Sequence, residues 1–318
     1  GPTLGFGEIS SEFAPHYAAV VIGTSGSSGS PKEVALTATA IISSARASNK
    51  FLNAKPGETW SLLLPLTHIA AVNVLVRAIE LGTLPIDLRS CDGDYPRADY
   101  TSVVPTQLFR ALNGDQHLLN HLISAKAVLV GGAALSQSIR NLAELAGINV
   151  VTTYGMTETC GGCVYDGETL DGVEIEIRNG KSSVRGPILA SSIELDAGWY
   201  ETNDLGEIID GKLVVTGRAD DVIITGGENL SLNAVEQSLS AAFPHIQAAA
   251  FAIDDPQWGQ SLQLAVVGEI SDDQIVTQLE SDLGAFAKPK GIHRLASLPL
   301  LGIGKVDRKS LARGIAHE

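Results

Sequence analysis

Between Ala18 and Tyr154 the chain repeats one pattern, a short continuous apolar run followed by an amphipathic stretch of helical period. No other feature narrows the fold as much. The runs Ala18–Thr24, Trp60–Leu66, Leu84–Leu88, Tyr100–Val104, Ala127–Val130 and Val150–Tyr154 are apolar at successive positions, which marks strands covered on both faces. The stretches Thr37–Leu52, Ile69–Leu81 and Ser136–Ala146 have helical periodicity, the last with Ser136 placed as its N-cap. An α/β domain around a buried sheet follows from this alternation.

From about Gly172 the texture changes to alternating β segments, Val173–Arg178, Lys181–Arg185 and Lys212–Gly217. Beyond them, helices over Asn233–Ala242 and Asp272–Phe286, strands over Ala248–Ile253 and Ser261–Val267 and a last helix after Gly304 form a small α+β module. A length of 318 residues also exceeds what one core usually serves. The expected division is therefore a large domain, residues 1–219, and a small one, residues 220–318.

The strongest chemical signal is Thr24-Ser25-Gly26-Ser27-Ser28-Gly29-Ser30-Pro31-Lys32, directly after an apolar strand. Glycines let backbone N–H groups turn toward an anion, hydroxyls add donors without bulk, and Lys32 adds a charge. A flexible loop has the same composition. It is not a Walker sequence, since Ser-Pro-Lys follows Gly29, and a P-loop kinase is disfavoured accordingly. Further candidates stand at strand ends, where α/β sheets present ligands: Val130-Gly131-Gly132-Ala133-Ala134 and Thr153-Tyr154-Gly155-Met156-Thr157-Glu158-Thr159. Four more are Leu64-Pro65-Leu66-Thr67-His68-Ile69-Ala70, Gly198-Trp199-Tyr200-Glu201-Thr202-Asn203-Asp204, the run from Gly217-Arg218 to Glu228-Asn229, and Gly302-Ile303-Gly304-Lys305-Val306-Asp307-Arg308.

Taken in order, these segments resemble the adenylate-forming superfamily of acyl-CoA synthetases, luciferases and peptide-synthetase adenylation domains. The resemblance implies that fold, a large α/β domain hinged to a small α+β domain, with only a shortened region ahead of the phosphate loop. It implies that Thr24, Ser25, Gly26, Ser27, Ser28, Gly29 and Lys32 bind the ATP phosphates. Gly132, Ala133, Tyr154 and Gly155 border the nucleotide, with Tyr154 stacked on adenine. Asp204 and Arg218 hold the ribose, Thr157 a phosphate and Glu158 a Mg²⁺ ion. His68, Gly131 and Gly155 line the acyl or pantetheine channel, and Arg77 is placed to pair with a substrate carboxylate, a solvated arginine being the alternative. Asp220 matches the hinge, Gly226 and Gly227 a loop used in the thioester step, and Lys305 a catalytic lysine that works with Glu158, Thr157 and His68. Asn203 and Glu33 depart from the pattern. Asn203 replaces a turn glycine, and Glu33 puts a negative charge near the triphosphate.

Within the superfamily, Tyr154 to Gly167, Leu170-Asp171-Gly172-Val173, His68-Ile69-Ala70 with Val74-Leu75-Val76-Arg77, and the Lys305 segment are most similar to o-succinylbenzoyl-CoA synthetases of the compact actinobacterial type. That implies ATP-dependent activation of o-succinylbenzoate and transfer to coenzyme A, in menaquinone biosynthesis. Another aryl, fatty or amino acid, a carrier-protein thiol, or a nucleotide-binding pseudo-ligase are the competing readings.

Composition excludes other classes. A formal net charge of -14 disfavours nucleic acid and anionic membranes as partners. Small molecules remain as partners, with a homodimer left open. Cys91, Cys160 and Cys163 are too few and odd in number for a disulfide framework, and no second pair completes a zinc site with Cys160 and Cys163. The first residues have neither a basic region nor a long apolar run, so the expected compartment is the cytoplasm.

Overall fold

The structure, a computed structural model, describes residues 2–25, 31–301 and 306–315. It divides into two compact units, one of residues 1–133, 143–202 and 207–214, the other of residues 134–142, 203–206 and 215–318. The main cut falls at Val214/Val215 rather than at the expected 219/220, and the second unit also takes two short segments from earlier in the chain.

In the first unit, β1 (Leu4–Phe6) runs parallel to β2 (Val20–Ser25), which pairs antiparallel with β3 (Pro31–Leu36). The segment expected to bind phosphate therefore joins two strands of a hairpin. A proline is tolerated where a strand begins, so Pro31 interrupts nothing. Thr37 caps helix α1 (Ala38–Phe51) by accepting from Ala40 N–H at 3.1 Å.

The larger sheet takes β4 (Trp60–Leu62), β5 (Ile86–Asp87), β6 (Tyr100–Val103), β7 (Ala127–Gly131), β8 (Val150–Met156), β9 (Gly161–Tyr165) and β10 (Glu168–Thr169) in the order β10-β9-β8-β7-β6-β4-β5. Strands β8, β7, β6, β4 and β5 are parallel, while β9 and β10 return antiparallel. The strand expected over Trp60–Leu66 stops at Leu62, and Pro65, which has no N–H, bars a ladder from resuming there. Helix α2 (Ile69–Glu80) follows β4. Helices α3 (Pro105–Leu112) and α4 (Gln116–Ser124) lie between β6 and β7, and α5 (Gln137–Leu145) follows β7 with Ser136 accepting from Ile139 N–H. Trp60, Leu62, Val103, Val128 and Leu129 are buried on this sheet, as continuous apolar strands require. Strands β11 (Glu174–Arg178), β12 (Lys181–Arg185), β13 (Tyr200–Ile209) and β14 (Lys212–Arg218) form a four-stranded sheet in chain order, with β11 and β12 antiparallel.

The second unit has a five-stranded sheet of β15 (Val222–Thr225), β16 (Glu228–Ser231), β17 (Gln247–Asp255), β18 (Gly259–Val267) and β19 (Gly291–Arg294). Helices α6 (Leu232–Ala242) and α7 (Asp272–Leu283) bury Val235, Leu239, Ile275 and Leu279 against Leu262, Leu264 and Val266. The α7 helix ends at Leu283, three residues before the expected Phe286, with Gly284 at φ +96° as its C-cap. On the other face, Leu311 of α8 (Arg308–Ile315) packs with Ala249, Phe251 and Leu298.

Candidate functional site

At the C-terminal end of β8 the backbone passes a bulge at Tyr154/Gly155, enters a one-turn 3₁₀ helix, Thr157–Thr159, and turns back through Cys160 with φ +51°. The turn does not continue into an α-helix, because β9 follows at once. The turn is held from behind. Cys160 carbonyl accepts from Ser44 Oγ at 3.0 Å and from Asn73 Nδ2, and Glu158 carbonyl accepts from Ala190 N–H at 2.8 Å. Buried polar residues on apolar helix faces, Ser44 and Asn73, were the available sequence signal for this support, and the sequence reading did not use it. Gly155 is required here, since a Cβ would sit 2.0 Å from Gly161 O. Gly131, paired with Thr153, likewise lets β7 and β8 approach, whereas Gly132 takes φ +86° and is exposed with Ala133.

The fixed turn presents Glu158 toward the β2–β3 hairpin. Lys32 Nζ stands 3.6 Å from Glu158 Oε1, with the lysine side chain 56% exposed and the glutamate 16%. A cation and a carboxylate thus meet beside the glycine-rich connection. Thr24 and Lys32 are register partners, and Thr24 Oγ1 donates to Lys32 carbonyl at 3.0 Å. Gly26, Ser27, Ser28, Gly29 and Lys305 lie outside the described residues, as does the side chain of Ser25. Tyr154 in β8 and Thr157 at the start of the 3₁₀ helix are half-buried, and His68 is the half-buried N-cap residue of α2. Glu158 suits a magnesium ion, which is content with one or two carboxylates when phosphate oxygens and water complete its shell. Among the described residues no cluster of three or more His, Cys, Asp or Glu could hold a metal unaided.

Two departures from the family pattern lose their force in three dimensions. Strand alternation sends Glu33 away from Lys32, where it accepts from Ser10 N–H at 2.7 Å, Ser10 Oγ at 2.9 Å and Ser11 N–H at 3.0 Å. Those serine hydrogen bonds, Ser11 foremost, lower its pKa to about 2, so its charge is spent on the N-terminal segment. Asn203 lies within β13 and needs no left-handed backbone, the positive φ values falling at Ala197 and Gly198 instead.

Arg77 is not a solvated arginine. It is 3% exposed, Nη2 donates to Tyr165 hydroxyl at 2.9 Å, and its guanidinium carbon lies 5.0 Å from the Trp60 ring centre. It makes no ion pair among the described residues, and its Nε has no hydrogen-bond partner. A buried cation so placed lacks an anion.

In the second unit Asp204 is 6% exposed and accepts from Arg218 Nη1 at 3.0 Å. Asp220 accepts from Arg218 Nε at 2.8 Å and Nη2 at 2.9 Å. These bonds, led by that to Asp220, raise the Arg218 pKa further above its ordinary value. Thr225 pairs with Glu228, so Gly226 and Gly227, at φ +60° and +87°, form the two-residue turn of the β15–β16 hairpin.

A family model described as AMP-binding enzyme matches residues 7–217. The chain belongs to that family. This AMP-binding enzyme is 38% identical over 329 residues to the probable 2-succinylbenzoate–CoA ligase of Mycobacterium tuberculosis, covering 94% of the chain and 85% of that protein. Its fold is similar to an Arg-to-Lys variant of E. coli MenE with bound OSB-AMS, at TM-score 0.82 and 25% identity over 97% of the chain and 71% of that one. It is also similar to o-succinylbenzoate CoA synthetase from Bacillus subtilis in complex with the acyl-adenylate intermediate OSB-AMP, at TM-score 0.76 and 25% identity over 92% and 69%. The AMP-binding enzyme therefore has the adenylate-forming fold that its motifs implied. Cys160 and Cys163 are buried, and burial pushes the Cys160 thiol up to about 12.

Proposed function

We propose that this AMP-binding enzyme is an ATP-dependent acid–thiol ligase that activates o-succinylbenzoate and transfers it to coenzyme A, in menaquinone biosynthesis. The observation that carries the ATP half is the meeting of Lys32 on β3 and Glu158 on the 3₁₀ turn at 3.6 Å. The relatives support the choice of acid.

The acid's carboxylate oxygen attacks the α-phosphorus of ATP, the bond to the bridging oxygen breaks, and pyrophosphate leaves with the electron pair. Thr24, Ser25, Gly26, Ser27, Ser28, Gly29 and Lys32 orient the phosphates, and Thr157 adds a hydroxyl. Magnesium, held at Glu158, would neutralise charge on the polyphosphate. Tyr154 packs on adenine beside Gly132 and Ala133, while Asp204 accepts from the ribose hydroxyls under Arg218. Lys305 offsets negative charge as the adenylate forms, an effect that is large where water is excluded. In the second step the thiolate of coenzyme A attacks the acyl carbon and the bond to AMP breaks, with the second unit turned about Asp220 so that Gly226 and Gly227 serve the thiol.

Arg77 supports a dicarboxylate as substrate. One carboxylate of o-succinylbenzoate reacts, and the other needs a cation that no protein carboxylate has already claimed. His68, Gly131 and Gly155 are assigned to the same acyl pocket. The cytoplasm as compartment and a homodimer as assembly belong to the same reading; among the described residues no helix is long and apolar enough to cross a membrane. Thioester formation measured across a panel of acids tests the assignment. Selective turnover of an acid other than o-succinylbenzoate would overturn the acid and leave the ligase class standing.

A further inference from the structure

Helix α2 carries a polar side chain in the middle of its apolar face. Asn73 is buried, as are Ala71, Val72 and Val74 around it, and its Oδ1 has no hydrogen-bond partner among the described residues. A leucine there would pack without leaving a polar atom dry. What the amide does shows at its other end. One Nδ2 hydrogen goes to Cys160 carbonyl and the other to Ser44 Oγ at 3.2 Å. Ser44, on α1, donates in turn to Cys160 carbonyl at 3.0 Å.

That carbonyl needs partners from outside its own strand. Strands β8 and β9 pair at Met156 and Gly161, so residues 157–160 leave the ladder, and Cys160 at φ +51° and Gly161 at φ +96° bring the chain back. A left-handed residue other than glycine persists only where its surroundings hold it. Cys160 is itself buried, where an unpaired carbonyl is costly. The fit is close, since a Cβ at Gly161 would lie 2.6 Å from Asn73 Nδ2.

Glu158 sits inside this excursion. Its carbonyl accepts from Ala190 N–H at 2.8 Å, Cys160 N–H donates to Thr157 carbonyl at 3.0 Å, and Thr159 Oγ1 donates to Gly161 carbonyl at 2.7 Å. The turn is thus pinned at Glu158, Thr159 and Cys160, and the carboxylate it presents meets Lys32 at 3.6 Å. Side chains of α1 and α2 supply the Cys160 pin.

We propose that Asn73, seconded by Ser44, is a positioning residue for the metal-bound nucleotide, keeping the Thr157–Cys160 turn in the form that points Glu158 toward Lys32. The proposal rests on the reading of Glu158 as the magnesium carboxylate. Without the amide, Cys160 carbonyl keeps one donor and the left-handed residue relaxes, carrying with it the carboxylate two residues away. Magnesium demands near-ideal octahedral geometry and tolerates little displacement of a ligand. Asn73 therefore governs affinity for the magnesium complex of ATP and not for the free nucleotide.

The test uses the full chain as Asn73→Leu, Ser44→Ala, Glu158→Gln and the double variant of Asn73→Leu with Glu158→Gln. Calorimetric titration without acid gives Kd for ATP in Mg²⁺ and in EDTA, and Tm is measured beside it. Asn73→Leu is expected to weaken ATP about tenfold in Mg²⁺ and to leave Kd in EDTA within about twofold of the parent. Ser44→Ala, the milder change, shows the same split at about threefold and carries the test should Asn73→Leu not fold. Glu158→Gln loses the advantage of Mg²⁺ by at least as much, and adding Asn73→Leu to it changes nothing further, because both act through one carboxylate. An advantage of Mg²⁺ kept at the parent level in Asn73→Leu and Ser44→Ala, while Glu158→Gln loses it, overturns the proposal. So does an equal loss in Mg²⁺ and in EDTA with a lowered Tm, which marks a merely structural amide. An advantage of Mg²⁺ that survives Glu158→Gln overturns the reading of Glu158 itself, and the proposal with it.

Discussion

Arg218 Nη1 donates to Asp204 Oδ1 at 3.0 Å while its Nε and Nη2 take both oxygens of Asp220. One guanidinium therefore orients the carboxylate assigned to ribose and holds the residue assigned to the hinge. Asp204→Asn and Arg218→Lys are each expected to raise KM for ATP about tenfold, the scale of one charge-assisted hydrogen bond. Initial rates against ATP concentration check this, and an unchanged KM in both would refute the ribose assignment.

Glu158 and Lys32, 3.6 Å apart, are both assigned to the ATP phosphates, the one through a metal ion and the other directly. Glu158→Gln should shift the Mg²⁺ dependence of pyrophosphate exchange to higher concentration, with at least about a tenfold loss in rate. Lys32→Met should raise KM for ATP at saturating Mg²⁺. An unshifted Mg²⁺ titration in Glu158→Gln would remove the metal from this carboxylate.

The guanidinium of Arg77 has Tyr165 and Trp60 around it but no ion pair among the described residues. Arg77→Met is expected to weaken o-succinylbenzoate by about tenfold or more in KM and to leave KM for ATP in place, since a charged hydrogen bond is worth about 1.5–3 kcal/mol. Tyr165→Phe, which removes only the phenol oxygen, gives a smaller change. Equal effects on both substrates would assign Arg77 to the core alone.

At Gly226 a Cβ would lie 2.8 Å from the Trp258 ring and the backbone would have to keep φ +60°. Gly226→Ala should therefore distort the turn and cost about 1 kcal/mol or more in local conformation. Single-turnover measurements are expected to show slow thioester formation and normal adenylate formation. Loss of the first step instead would detach this turn from the thiol.

His121 is buried, bonded through Nε2 to Ser61 Oγ at 2.8 Å, and desolvation lowers its pKa from the ordinary 6.5. The unfolded chain then binds the proton first as pH falls through about 6.5, so His121 removes stability below that pH and none above it. Urea unfolding between pH 7.5 and 5 should show this slope, and His121→Gln should flatten it.

Much of the large domain was legible because a buried parallel sheet leaves continuous apolar runs and its helices leave a clear period. Helices α3 and α4, with 8 and 9 residues, were missed because neither is long enough to establish one. Strand β3 was missed for a related reason: Pro31-Lys32-Glu33 is polar, and only pairing with β2 makes it a strand. The candidate site motifs stood out by residue type and order, while the role assigned to each residue came from the family resemblance.

Residue order by itself determined the fold class, the family and which side chains carry charge or flexibility, because those depend on local period and local chemistry. Tertiary structure decided where that charge acts. It turned Glu33 away toward Ser10 and Ser11, set Lys32 against Glu158, buried Arg77 beside Trp60 and Tyr165, and bound Arg308 to Glu236. Each of these depends on strands or helices far apart in the chain meeting at a few ångströms, and the direction of a side chain in space is not a property of its neighbours in sequence.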